Sequence, residues 1–372
     1  VDFGLFNLMQ RRDHAESIPA VYQHANDSVR LAEDIGFEVA WFAEHHFSDY
    51  CLCPSPMLGI SWCAAQTSRI KLAPGVLVLP LYDPIRLVQE VSMADEFCEG
   101  RFLLGTGTGY QSYEFDRFGL DLNEGGDRFL ELQDILEMGL AEGEIEYNGH
   151  FYQIPHTRLA ARSTRGLPDR IIAGVLNHPG IRRRVAEHNY TALLSPGWNP
   201  FSMMEQQKTR YQDVFKEVGR DHTKLRLAVM RFVHVTDSPE EALAAAESFR
   251  YSTRVAVALR FDYGEFDGTL HHDIPAREEP TLEQMRDNMI IGDAETCAER
   301  IVDEINCLEP AHYICYMKGG SLSGDRVLRS LEKFGTHVMP QVEKAIPNLD
   351  DIGGNIDQRA KQGLEVTNCV TR

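Results

Sequence analysis

Val39-Ala40-Trp41-Phe42-Ala43-Glu44-His45-His46-Phe47 is an apolar run that ends in an acid and two adjacent histidines. Read as one strand of a parallel barrel, it delivers ionisable groups to the rim, where such folds carry out chemistry. Histidine is the side chain best suited to exchange a proton near neutral pH. The reading holds only if other strand ends along the chain complete a site.

Short apolar runs of strand length recur on both sides of it, at 2–6, 71–79, 102–105, 170–173, 191–195, 226–235 and 311–317. The stretches between carry apolar residues at helical spacing: 18–35, 56–66, 84–97, 128–140, 180–188, 203–218, 239–249, 294–307 and 324–342. Several open on a capping residue or a proline, such as Asp83-Pro84, Asp127, Ser238-Pro239 and Asp293. Eight strand–helix units predict an α/β fold, a closed (β/α)8 TIM barrel. A doubly wound open sheet is the alternative. It is disfavoured because no G-x-G-x-x-G follows the first strand, and Gly105-Thr-Gly-Thr-Gly109 is only a weak variant. The expected organisation is one domain over 1–346 and a peripheral tail over 347–372. Two long segments interrupt the pattern. Residues 107–126 read as a Gly/Asp-rich loop, and 251–292 as a lid-like insertion before strand eight.

Acidic residues outnumber basic ones by 56 to 37, a formal charge of -19. That disfavours nucleic acid and anionic membrane surfaces as partners. No apolar run reaches membrane-spanning length. None of the eight cysteines forms C-x-x-C, and several fall inside apolar patterns, so a reduced, cytoplasmic protein is expected.

Glu44, His45 and His46 are the first candidates for chemistry. Cys51 and Cys53 lie near them, but no complete ligand set for a metal is seen. Gly75, inside the third run, marks a bend or a close backbone approach. A flat ligand could lie on that backbone, though a packing role reads equally well. Gly107 and its neighbours leave bare N–H groups that could meet a ligand's polar edge. Arg128, at a helix start, opposes the helix dipole unless an anion is present. Asn177-His178-Pro179-Gly180-Ile181-Arg182-Arg183 opens another helix and suits a phosphate. The rival reading is a solvated basic face matching Glu187, and the phosphate is preferred because cations at a helix N-terminus otherwise cost energy.

Together these segments resemble the bacterial luciferase family of flavin-dependent monooxygenases. The matching pieces are GFEVAWFAEHHF, LAPGVLVLP, DPIRLVQEVSMADEFCEGRFLLGTGTGY, HPGIRRRVAEH and IGDAETCAERI, in order over most of the chain. The resemblance implies a two-component enzyme that uses O2 and reduced FMN from a separate flavin reductase. It would hydroxylate, or oxidise in Baeyer–Villiger fashion, a small and largely apolar organic substrate. His45 would be catalytic, with Glu44 beside it. Gly75, Val76, Gly107 and Thr108 would border the flavin ring, with a non-prolyl cis peptide at Gly75–Val76. Arg128, Asn177, His178, Gly180, Ile181 and Arg182 would hold the phosphate. Phe6, Trp41, His46, Tyr110 and Trp198 would shape the substrate pocket. Luciferase carries a cysteine and an arginine where this chain has Gly107 and Thr108, and Glu-Ser where it has Asn177-His178. A non-luminous relative is therefore implied. A homodimer through the helices at 56–66 and 84–97 is expected. The alternatives are a deazaflavin-dependent hydride-transfer enzyme, a non-catalytic flavin-binding protein and a metal-dependent hydrolase. The last would need H-x-H after the first strand, where Phe6-Asn7-Leu8 stands.

Overall fold

In the computed structural model, which describes residues 1–163, 170–173 and 178–353, strands and helices alternate along the chain. β1 (Asp2–Asn7) leads to α1 (Ile18–Asp34), and β2 (Val39–Phe42) to α2 (Pro56–Ala64). β3 (Lys71–Pro74) resumes after two residues as β4 (Leu77–Val78), before α3 (Pro84–Phe97). β5 (Leu104–Gly107) is followed by α4 (Ser112–Phe118), α5 (Gly125–Glu142) and a hairpin of β6 (Glu144–Asn148) and β7 (Gln153–Arg158). Next come β8 (Arg170–Ala173), α6 (Pro179–His188), β9 (Thr191–Leu194), α7 (Ser202–Glu217), β10 (Arg226–Val235) and α8 (Pro239–Arg260). A short hairpin, β11 (Phe266–Asp267) and β12 (Leu270–His271), precedes α9 (Leu282–Asn288) and β13 (Ile290–Gly292). The described chain closes with α10 (Ala294–Leu308), β14 (His312–Tyr316), α11 (Gly324–Lys333) and α12 (Met339–Ala345).

The main sheet is parallel throughout, in the order β3-β2-β1-β14-β10-β9-β8-β5-β4, with β13 added beside β10. Its two ends, β3 and β4, belong to one run of chain. Leu72 of β3 also bridges Phe102, with Leu72 N–H donating to Arg101 O (2.8 Å) and Leu103 N–H to Leu72 O (3.0 Å). Every residue of β1, β2 and β14 is buried, which is why these strands read as unbroken apolar runs rather than alternating ones. Helix starts follow the side-chain chemistry. Ser17, Asp83, Ser238 and Asp293 each accept from a backbone N–H in the first turn, the first three ahead of a proline within the first two helical positions.

Four sequence expectations need correction. The run 71–79 is two strands, broken at a cis Gly75–Val76 peptide. The segment 107–126 is not a loop, because it holds α4, which ends on Gly119 at φ 71°. Asp127 is not a cap but lies in the first turn of α5. The insertion does not begin at 251, since Tyr251, Val255, Ala258 and Leu259 keep one face of α8 buried as far as Arg260. The β6–β7 hairpin was not expected; only one residue in each of its strands is buried, so its apolar pattern is weak. No described helix is long and apolar enough to cross a membrane.

Candidate active site

A cavity of about 510 Å³ opens where the main-sheet strands end, which is within the usual range for small-molecule sites. Phe6, Ala43 to His45, Gly75, Val76, Gly107 to Tyr110, and Leu193 to Ser195 line it from successive strand ends. Met230, Tyr316 and Tyr50 fill between them, and Gln207, Arg210 and Arg260 reach in from α7 and α8.

His45 is held from α4. Its Nδ1 lies 3.0 Å from Glu114 Oε1, which also accepts from His46 N–H at 2.7 Å. Glu114 is fully buried. The Gln111 amide lies 2.8 Å from the same ring nitrogen. One nitrogen cannot donate to the carboxylate and accept from an amide N–H. The charge-assisted bond is the stronger, so Nδ1 carries the proton and the amide oxygen faces it. Nε2 is then the unprotonated nitrogen, accepting from the Tyr110 hydroxyl at 3.4 Å, and Tyr110 Oη is 3.3 Å from Tyr50 Oη. Burial pushes both phenols up, so they stay protonated hydrogen-bonding groups.

Glu44 does not orient His45. Its Oε1 meets His46 Nε2 at 3.0 Å, while Oε2 accepts from Val78 N–H at 3.0 Å and Tyr82 O–H at 2.8 Å. It ties the end of β2 to β4. His46 turns away from the cavity, toward the rings of Phe47 and Phe118. Trp41 is a core residue beneath β3, and Trp198 is buried; neither lines the cavity. Three of the five expected pocket residues are thus elsewhere, while Phe6 and Tyr110 are in the wall.

Glycine has two different causes here. A Cβ at Gly105 would stand 2.0 Å from Pro74 O, so close strand approach forbids any side chain. A Cβ at Gly75 would meet Trp41 and Phe6 at 3.4–3.5 Å, ordinary contact that packing alone would tolerate.

The whole-chain comparison fits this geometry. The family model for luciferase-like monooxygenases matches residues 1–306. The chain belongs to that family. Among relatives, the uncharacterized protein y4vJ of Sinorhizobium fredii (strain NBRC 101917 / NGR234) is 32% identical, over 93% of this chain and 99% of its own. The oxygenase component of a flavin-dependent trigonelline monooxygenase from Acinetobacter baylyi (strain ATCC 33305 / BD413 / ADP1) is 25% identical, over 91% and 94%. Among solved structures, monooxygenase RslO1 from Streptomyces bottropensis shares the fold, with a TM-score of 0.77 at 20% identity over 91% of this chain and 99% of that one. So does the coenzyme F420-dependent tetrahydromethanopterin reductase from Methanopyrus kandleri, with a TM-score of 0.67 at 20% identity over 92% and 99%.

In this luciferase-like chain the expected phosphate residues gather at two helix starts. His178 Nδ1 caps α6 by accepting from Ile181 N–H at 3.4 Å, and its Nε2 lies 3.4 Å from Asp127 in the first turn of α5. A Cβ at Gly126 would strike the His178 ring, and one at Gly180 would press on Leu130, so the two helix starts are in contact. Asn177 lies outside the described residues. Arg128 is not free: it pairs with Glu124 at 2.8 Å and lies over the Phe151 ring at 4.4 Å. Arg183 pairs with Glu187 at 2.7 Å, as the rival reading has it. Arg182 Nε is buried without a hydrogen-bond partner.

Sequence reasoning missed Glu114, Gln111, Tyr50, Gln207, Arg210 and Arg260. Glu114 and Gln111 were hidden by reading 107–126 as loop. The helical spacing of Tyr110, Glu114 and Phe118 and the terminal Gly119 were the available signal.

Proposed function

We propose that this chain is the oxygenase half of a two-component, FMN-dependent monooxygenase acting on a small organic molecule. Reduced FMN would come from a separate reductase. One observation carries the reading: a single cavity presents bare glycine backbone at Gly75 and Gly107 together with His45, whose Nδ1 is held by Glu114. Family membership and the named flavin-dependent relative support it. The sheet order, with Leu72 joined to Phe102, supports closure into a (β/α)8 barrel.

The residues suit an isoalloxazine. The cavity has the volume and a wall without side chains at Gly75 and Gly107. Val76 and Thr108 would border the ring, and His178, Gly180, Ile181 and Arg182 would meet the phosphate, with Arg128 alongside. Bound reduced FMN would supply the electrons and the centre at which O2 is activated. His45 Nε2 would take up or return a proton at the substrate or oxygen atom undergoing reaction, in hydroxylation and Baeyer–Villiger oxidation alike. Glu114 fixes its tautomer. Glu44 is a positioning residue that locks His46 and Val78. Segment 261–289, with its hairpin and α9, would act as the lid that excludes water.

Exposed Leu58 and Trp62 on α2, and Met93 and Phe97 on α3, would join two copies into a homodimer. Six of the seven described cysteines are buried and all are unpaired, which suits a reducing compartment.

The second reading, hydride transfer with a deazaflavin, is favoured by the shared fold of the F420-dependent reductase. Anaerobic ultrafiltration with reduced FMN and reduced F420 in parallel separates the two. Retention of FMN and passage of F420 are expected, and the reverse would replace the proposal.

A further inference from the structure

Resting on the monooxygenase reading, we propose that the substrate bears a carboxylate on an apolar body, and that Arg210 and Arg260 hold it. In a chain of net -19, many arginines find an acidic partner. Arg128, Arg183, Arg184 and Arg254 all do so. Arg210 and Arg260 line the cavity at its exposed mouth, and neither has a carboxylate partner among the described residues. Glu44, the one acid in the wall, is already committed to Val78, Tyr82 and His46. Two guanidiniums without an acid partner thus face the cavity and can receive an anion.

Position narrows the choice. Gln207 stands one turn before Arg210 on the same face of α7, and its buried terminal oxygen has no partner. Turning that amide points its N–H groups at an acceptor beside the guanidinium. Arg260 lies over the Tyr110 ring at 4.6 Å, and the hydroxyl of that ring reaches His45 Nε2. The stacking holds the planar guanidinium in place, and its fork of donors matches a carboxylate in two parallel hydrogen bonds. Phe6, Leu193, Leu194 and Met230 offer the apolar surface for the rest of the molecule. The FMN phosphate would present the same chemistry to these arginines. Its own candidates, however, sit at the starts of α5 and α6, and none of Arg128, His178 or Gly180 lines this cavity.

The test uses the full chain under anaerobic conditions, with and without reduced FMN. Calorimetric titrations compare octanoate, phenylacetate and benzoate with their methyl esters, in wild type, Arg210→Gln, Arg260→Gln and the double variant. At least one acid should bind about tenfold or more tightly than its ester in wild type. That preference should vanish in the double variant, with FMN affinity within twofold and circular dichroism unchanged. No acid binding better than its ester overturns the proposal. Loss of FMN affinity in the variants also overturns it, because the arginines then serve the phosphate. If wild type discriminates acids but retains no FMN, the flavin reading fails and the anion site stands.

Discussion

His45 has a defined proton because Glu114 is buried beside it. The carboxylate accepts from Nδ1–H and leaves Nε2 without a proton, facing the Tyr110 hydroxyl at the cavity. Nitrogen-15 NMR of histidine-labelled protein should show the neutral His45 ring as the Nδ1–H tautomer, and Glu114→Ala should mix the tautomers. In turnover assays His45→Ala should cost about 100-fold or more in kcat with little change in FMN affinity, the usual size of a lost acid–base group. Glu114→Ala should lower kcat less than His45→Ala does; an unchanged kcat with unmixed tautomers would make Glu114 merely structural. His45 was legible because it ends an apolar strand. Glu114 was not, because its pairing spans 69 positions of sequence and depends on how α4 folds back over β2.

The strands and most helices were readable from apolar period and capping residues, because burial on both faces leaves an unmistakable run. What escaped notice was short or half-exposed: the β6–β7 hairpin, α4 and the elements before α10. The packing also sets costs that period does not reveal. Gly105→Ala would drive a methyl into Pro74 O and should destabilise by about 1–3 kcal/mol or more in urea denaturation. The β11–β12 hairpin is fastened at Asp49, which accepts from Thr269 Oγ1 (2.7 Å) and pairs with Arg11 (3.0 Å). Removing it as Asp49→Ala strands a buried guanidinium and should cost about 3–5 kcal/mol. His271, in β12 against Tyr50 and Phe266, is held down to about 4 by burial, against the opposing pull of Asp49. The unfolded chain takes up that proton near its ordinary value of 6.5, while the folded protein does so only near 4. The stabilisation is therefore complete above about 6.5 and is lost as pH falls through that window. The unfolding midpoint should drop between pH 7 and pH 4.5, and His271→Phe should flatten this drop. An equal drop in the variant would mean that other groups cause it.

Across the full fold, the sheet presents its strand ends to one cavity, and two helices on its flank expose paired apolar residues at i,i+4 spacing. Trp62→Glu should reduce the light-scattering mass to that of one chain, while a wild type already monomeric would remove the proposed dimer. The central claim is that this cavity binds reduced FMN and governs its reaction with O2. Its most direct test mixes protein and photoreduced FMN anaerobically, then adds air-saturated buffer in a stopped flow and follows the return of oxidised flavin absorbance. The account predicts tight binding and reoxidation kinetics distinct from those of free FMN, altered again by His45→Ala. Failure to bind, or reoxidation identical to that of free FMN, would contradict it.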